Sequence, residues 1–160
     1  MNIYLIRHAE AESTSSEKPH EERSLTTEGI EILKTSIGFW KNFVSKIDII
    51  LTSPLKRAKQ TALIIQNIYE PEFDVIEEIC LLNGGLTEDL VSIASSLNME
   101  DIAMIGHQPD IGNHLAAMIG SSAVNFRIQT SSIAKINFRE RPRVGKGVCE
   151  FFLPPIIKNG

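Results

Sequence analysis

Short apolar runs alternate along this chain with stretches in which apolar residues return every three or four positions, the two periods that separate buried strands from amphipathic helices. Residues 3–6 read as a buried strand that ends at Arg7 and His8. A polar stretch over residues 10–24, rich in Glu and Ser and containing Pro19 and His20, reads as a loop. Thr26 is placed to cap a helix with Glu28 in its positive first turn, and Ile30, Leu33, Ile37, Trp40 and Val44 give that helix one apolar face. Residues 47–51 form a second predicted strand. Ser53-Pro54 then predicts a helix start, a capping hydroxyl followed by the residue suited to the first helical position, with Leu55, Ala58, Ala62 and Ile65 facing inward. Residues 73–76 read as a third strand, and Leu86, Leu90, Ala94 and Leu97 mark a third helix. A fourth strand over residues 102–105 ends at Gly106-His107, and Gln108-Pro109 starts a helix carrying Ile111, Leu115 and Met118. Beyond it the period changes. Ala134, Ile136 and Phe138 alternate, residues 148–153 form another β-like run, and the basic stretch 139–146 joins the two as a turn.

Strands alternating with helices predict a mainly parallel sheet covered on both faces, a three-layer α/β/α sandwich that closes on a terminal hairpin or edge strands. At 160 residues, with no internal repeat and no low-complexity tract, the chain is expected to form one domain over residues 1–160. Hydrophobic residues make up 42% of it and charged residues 22%, which excludes a disordered or fibrous class. The net charge of −4 gives no whole-molecule attraction to nucleic acid or to an anionic membrane, so neither is an expected partner. Phosphate binding must then come from a local cluster of cations. Cys80 and Cys149 have no CxxC or Cys/His spacing, so neither a disulfide framework nor a zinc site is indicated, and both read as reduced core residues. No basic leader precedes the first apolar run, and no run approaches the roughly 20 residues that span a bilayer. A cytoplasmic monomer is the expectation.

Ligands of an open α/β sheet bind outside the carboxyl ends of its strands, where helix N-termini also point. Three predicted strand ends deliver unusual polar residues to that edge: Arg7 and His8 from the first, Ser53 and one turn later Arg57 from the second, and His107 from the fourth. Arginine matches phosphate oxygens in bidentate fashion and helix N-termini offer free N–H groups, so this rim suits a phosphoryl group. Taken singly, a strand-end histidine is a capping residue and an arginine a solvated one. Their shared placement is what points to a site.

These residues fall within four ordered blocks: Leu5-Ile6-Arg7-His8-Ala9, Leu25-Thr26-Thr27-Glu28-Gly29, Ser53-Pro54-Leu55-Lys56-Arg57-Ala58-Lys59-Gln60-Thr61-Ala62, and Gly106-His107-Gln108-Pro109. Together they resemble the histidine phosphatase (phosphoglycerate mutase-like) superfamily over roughly residues 2–153. The short length and the closing segment Thr130-Ser131-Ser132-Ile133-Ala134 look most like its SixA branch of protein phosphohistidine phosphatases. The resemblance implies a phosphoglycerate mutase-like fold and catalysis without metal or other cofactor. His8 would be the nucleophile and form a phosphohistidine, and Arg7, Arg57 and His107 would clamp the phosphoryl oxygens, with Ser53 at the same binding edge. A family glutamate just after the third strand serves as general acid. Glu78, beside Glu77, matches that slot, and both could equally be solvated loop carboxylates. Ala9 replaces the signature glycine, a substitution that a small side chain makes tolerable.

The expected substrate is a phosphorylated histidine on a protein, such as a histidine phosphotransfer domain in signal transduction. A phosphatase of small phosphoesters with the same mechanism is the first rival, and a silent phosphate-binding module that keeps the pocket is the second. A mutase is disfavoured because the chain has little room for the insertions that would close its site. The basic stretch 139–146 reads either as a contact for an acidic partner or as a solvated tip guarding an edge strand, and the acidic residues of the 10–22 loop as a gate or as ordinary mobile loop.

Overall fold

The computed structural model describes residues 1–14, 19–121 and 123–157; residues 15–18 of the polar loop and the last three of the expected domain lie outside the described residues. The elements run β1 (Asn2–Arg7), α1 (Thr27–Trp40), β2 (Ile49–Thr52), α2 (Lys56–Tyr69), β3 (Ile76–Glu77), α3 (Thr87–Leu97), β4 (Asp101–Gly106), α4 (Asp110–Met118), β5 (Ile133–Asn137) and β6 (Val148–Leu153). One six-stranded sheet has the order β3-β2-β4-β1-β5-β6. β1, β2, β3 and β4 are mutually parallel, β5 runs antiparallel to β1, and β6 antiparallel to β5. The sheet is therefore mainly parallel and ends on a hairpin, as the change of period at residue 133 predicts.

Period-two alternation builds two cores. Ile3, Leu5, Ile49, Leu51, Ile102 and Met104 face α3 and α4, where they meet Leu90, Ala94, Ile111, Leu115 and Met118. Tyr4, Ile6, Ile50, Ala103 and Ile105 face α1 and α2, against Leu33, Ile37, Trp40, Ala58, Ala62 and Ile65. The runs read as near-continuously apolar because both faces are covered.

Thr26 caps α1, its Oγ1 accepting from Gly29 N–H at 2.9 Å. Gly29 has a second reason to be glycine, since a Cβ there would overlap the carbonyl oxygen of Glu10, which accepts from Thr26 N–H at 3.0 Å. The chain leaving β1 is thus clamped onto the start of α1.

Three expectations are corrected. Ser53-Pro54 does not begin α2, which starts at Lys56 with Leu55 as its cap residue; the Ser53 hydroxyl accepts from Leu55 N–H at 3.3 Å but is turned toward His107. The third strand is only Ile76–Glu77, because it is an edge strand paired with the last two residues of β2, and residues 71–75 carry the chain back from the left-handed Glu70 at the end of α2. Val44 lies beyond α1, held in a turn by its N–H to Trp40 carbonyl at 2.8 Å, and is buried on the expected side.

Candidate active site

Parallel neighbours end together. Arg7 pairs with Gly106 in register, and His8 N–H donates to Gly106 carbonyl at 3.2 Å, so His8 and His107 leave adjacent strands side by side with ring centroids 5.0 Å apart. Ser53 N–H donates to Ile105 carbonyl at 3.0 Å and brings the end of β2 to the same edge. Arg57, in the first turn of α2, reaches back over it. All five of Arg7, His8, Ser53, Arg57 and His107 meet at the carboxyl rim of the sheet.

Hydrogen bonding decides the tautomer of His8. Its Nδ1 lies 2.6 Å from the carbonyl oxygen of Ala9. A carbonyl can only accept, so Nδ1 carries the proton and Nε2 the lone pair. Arg57 Nε donates to that Nε2 at 3.2 Å, while its Nη1 donates to the carbonyl of His20 at 3.0 Å, in a 3-10 turn over His20–Glu22. Thr61, one turn on, accepts from Ala9 N–H at 3.0 Å and donates to Arg57 carbonyl at 2.8 Å. The peptide that leads into Ala9, whose carbonyl His8 engages, is therefore tied to the helix that supplies Arg57. Ala9 itself is fully buried and makes this contact without a positive φ, so the signature position accommodates its Cβ.

Arg7 donates from Nη1 to Ile128 carbonyl at 2.7 Å. The segment before β5 wraps the same residue: Arg7 N–H donates to Ser132 carbonyl at 3.2 Å, and Ser131, in the left-handed region at φ 60°, donates its N–H to Arg7 carbonyl at 3.1 Å. His107 Nε2 and Ser53 Oγ are 2.7 Å apart. Arg7 Nε, His107 Nδ1 and the hydroxyls of Ser131 and Ser132 are buried without a hydrogen-bond partner among the described residues, which leaves them available to a ligand at the rim.

The electrostatics follow from this crowding. Burial first, and less strongly the neighbouring His107 ring and the charges of Arg57 and Arg7, push His8 down to about 3 against the opposing pull of the Ala9 carbonyl. Burial, then Arg57, His20 and Arg7, push His107 down to about 3 as well. Burial is also the main cause lowering both arginines. Since the folded state keeps both rings neutral where the unfolded chain protonates them, stability is complete above the ordinary histidine value near 6.5 and is lost as pH falls toward 3. The free energy of urea unfolding is expected to fall by roughly 1 kcal/mol per ring between pH 7 and 5.5, above the carboxylate range, with the midpoint falling in step. Equal midpoints at the two pH values would show that the rings protonate as freely folded as unfolded.

Glu78 stands at the same edge through its backbone, its N–H donating to Thr52 carbonyl at 2.8 Å. Its carboxylate, half-buried, forms no hydrogen bond or ion pair among the described residues, whereas the neighbouring Glu77 pairs with Lys59 at 3.2 Å. Of the two carboxylates only Glu78 is free to serve the rim. Thr61, the carbonyls of Ala9, His20 and Ile128, and Arg127 escape sequence reasoning. Thr61 had a signal, one turn after Arg57 on the face of α2 turned to the sheet; carbonyls have none. Arg127, with Glu10, Glu28, Pro155 and Ile157, lines a cleft of about 500 Å³ that Arg7 also borders. Among the described residues no group of three or more His, Cys, Asp or Glu could hold a metal ion, and no helix is long and apolar enough to cross a membrane.

Comparison with known proteins bears on the fold and the family. No curated protein sequence matches the chain. Among solved structures, the protein histidine phosphatase SixA complexed with tungstate superposes with a TM-score of 0.84 at 21% identity, covering 96% of this chain and 97% of that one. The alpha-ribazole phosphatase of Shigella flexneri gives 0.69 at 18% identity over 91% and 96%. A phosphoserine phosphatase mutant of Entamoeba histolytica in complex with phosphoserine gives 0.69 at 16% identity over 95% and 96%. At such identities these likenesses show the phosphoglycerate mutase-like fold. The family model for branch 1 of the histidine phosphatase superfamily matches residues 3–97, from the strand that delivers Arg7 and His8, past the helix of Arg57, to the end of α3, and the chain belongs to that superfamily.

Proposed function

We propose that this protein is a phosphatase that works through a covalent phosphohistidine at His8, with phosphohistidine on a protein as its substrate class. The observation that carries the reading is the unprotonated Nε2 of His8, fixed by the Ala9 carbonyl on one side of the ring and by Arg57 on the other. In the first step Nε2 attacks phosphorus in line, a P–Nε2 bond forms and the bond to the leaving nitrogen or oxygen breaks. The Nδ1 proton stays on the ring, and the Ala9 carbonyl stabilises the cation that results. In the second step water attacks phosphorus, the P–Nε2 bond breaks, and inorganic phosphate leaves with His8 restored. Arg7, Arg57 and His107 stabilise the charge that grows on the phosphoryl oxygens, with Ser53 orienting His107. The two guanidiniums provide the positive charge that other phosphoryl-transfer sites take from a metal, and His107 adds a neutral ring as a hydrogen-bonding partner.

Glu78 is the candidate proton donor to the leaving group. Imidazole departs more readily than an alkoxide, so a phosphohistidine substrate asks less of that acid. The higher TM-score with the SixA structure, 0.84 against 0.69 for the alpha-ribazole and phosphoserine phosphatases, supports the substrate class. Two of the four connections at the rim, after β2 and after β4, are only three residues long, which leaves room for a phosphoryl group presented on a protein surface. The cleft beside Arg7 favours a second reading, in which the same chemistry acts on a small phosphoester.

The test mixes the protein, with chelator present, with a ³²P-labelled phosphohistidine domain and in parallel with an aryl phosphate. Release from the domain with transient acid-labile label on this chain is the expected result. Hydrolysis of the aryl phosphate alone would move the substrate to small molecules, and activity on neither would leave a silent phosphate-binding module.

A further inference from the structure

Four of the chain's cations, Arg139, Arg141, Arg143 and Lys146, stand within eight residues of the β5–β6 turn, with Glu140 the sole acid among them. All four side chains are exposed, and none makes a hydrogen bond or ion pair among the described residues. With Phe138, Glu140 and Val148 they line one groove of about 550 Å³.

The backbone beneath them is held from several sides. Gly145 N–H donates to Ala117 carbonyl and Gly147 N–H to Met118 carbonyl, each at 2.9 Å, and Ser95 Oγ donates to Pro142 carbonyl at 3.4 Å. Gly147 packs so closely that a Cβ there would overlap the side chain of Ile136. The turn is therefore docked on α3 and α4. Two simpler accounts of its charge are met by these contacts. The carbonyls at the end of α4 already accept from main-chain N–H groups, so the side chains are not used as helix caps. Nor do they run along the open sheet edge: they stand at the turn end of the hairpin, and Val148, the first residue of β6, is the one edge-strand residue that lines the groove. The groove also lies at the far end of the sheet from His8: Asn2 is paired with Asn137, and Met1 N–H₃⁺ donates to Phe138 carbonyl at 3.1 Å, so a strand length of roughly 20 Å separates the two.

We propose that this groove is a docking site for an acidic polypeptide segment, separate from the catalytic rim. Charge complementarity selects the occupant. Four cations on a fixed backbone against one carboxylate attract several acidic side chains at once, and Val148, 55% exposed at the groove's edge, offers an apolar residue a place between them. Nucleic acid fits less well, because the chain's net charge of −4 repels an extended polyanion beyond this patch.

The test is fluorescence anisotropy with a labelled twelve-residue peptide of repeated Glu-Glu-Leu, in 50 mM and 300 mM NaCl. The intact protein is expected to bind it, about tenfold more weakly at the higher salt. Arg141→Glu with Arg143→Glu should weaken binding at least tenfold, and Arg139→Gln with Lys146→Gln by a smaller but measurable factor, each with an unchanged circular dichroism spectrum. Arg57→Ala, at the opposite rim, should bind the peptide as the parent does. The proposal is overturned by no binding in 50 mM NaCl, by equal binding to the reversed variant, by loss of binding in Arg57→Ala, or by tighter binding of a twelve-nucleotide single strand than of the peptide.

Discussion

His8→Ala should lower turnover by at least about 10⁴-fold, the scale at which removal of a nucleophile from a coupled site is felt, and should abolish acid-labile label on the chain. The effect is confined to chemistry because of where the residue sits. His8 follows the last residue of β1, and its sheet contact is a main-chain N–H to Gly106 carbonyl that alanine keeps. The two apolar clusters do not include its ring. What the variant loses locally is the acceptor for Arg57 Nε, which leaves a buried guanidinium N–H unpaired at a cost of about 1–3 kcal/mol. A bound phosphate oxygen can replace that acceptor, so inorganic phosphate should raise the thermal midpoint of His8→Ala at least as much as that of the parent. Retention of more than a per cent of the parent's turnover, or of acid-labile label, would place the covalent step on another residue.

How much of this was legible beforehand varies with the kind of interaction. β1 and β4 declared themselves because strands buried on both faces must be continuously apolar, and Thr26 because a hydroxyl before an amphipathic run has one obvious use. Arg7, His8, Arg57 and His107 were visible because strand ends in an α/β sheet share one edge, so that residues 50 and 100 positions apart become neighbours by topology alone. Ser53 was visible for the wrong local reason: a hydroxyl before proline resembles a helix cap, and only the packing of β2 beside β4 shows that His107 competes for it and wins. The third strand was misplaced because the apolar residues at 73–76 carry no sign that β2 offers only two residues to pair with. The tautomer of His8 was out of reach altogether. It depends on a carbonyl, and carbonyls are the same in every residue.

Arg57→Ala should reduce kcat/KM by roughly 10²- to 10³-fold, the usual effect of removing one charge-stabilising group from a preorganised site. It should also change the shape of the pH profile, which a loss of phosphate binding alone would not do. Arg57 acts on His8 twice: its Nε–H engages the lone pair at Nε2, and its charge opposes a second proton on the ring. Attack requires the neutral ring, and in the parent the pKa near 3 keeps it neutral throughout the mildly acidic range. With the guanidinium gone the ring binds a proton more readily, so the acid limb of kcat/KM should move to higher pH. The move should be partial, since burial is the largest cause of the depression and alanine at position 57 leaves most of it in place. Lysine at position 57 separates the two roles. It restores a positive charge and with it part of the low pKa, but a single ammonium cannot donate to His8 and hold the His20 carbonyl in the forked geometry seen here. Arg57→Lys should therefore keep an acid limb close to the parent's while its maximum stays low. Parallel profiles for all three proteins would mean that Arg57 only holds the phosphoryl group and does not set the protonation of His8.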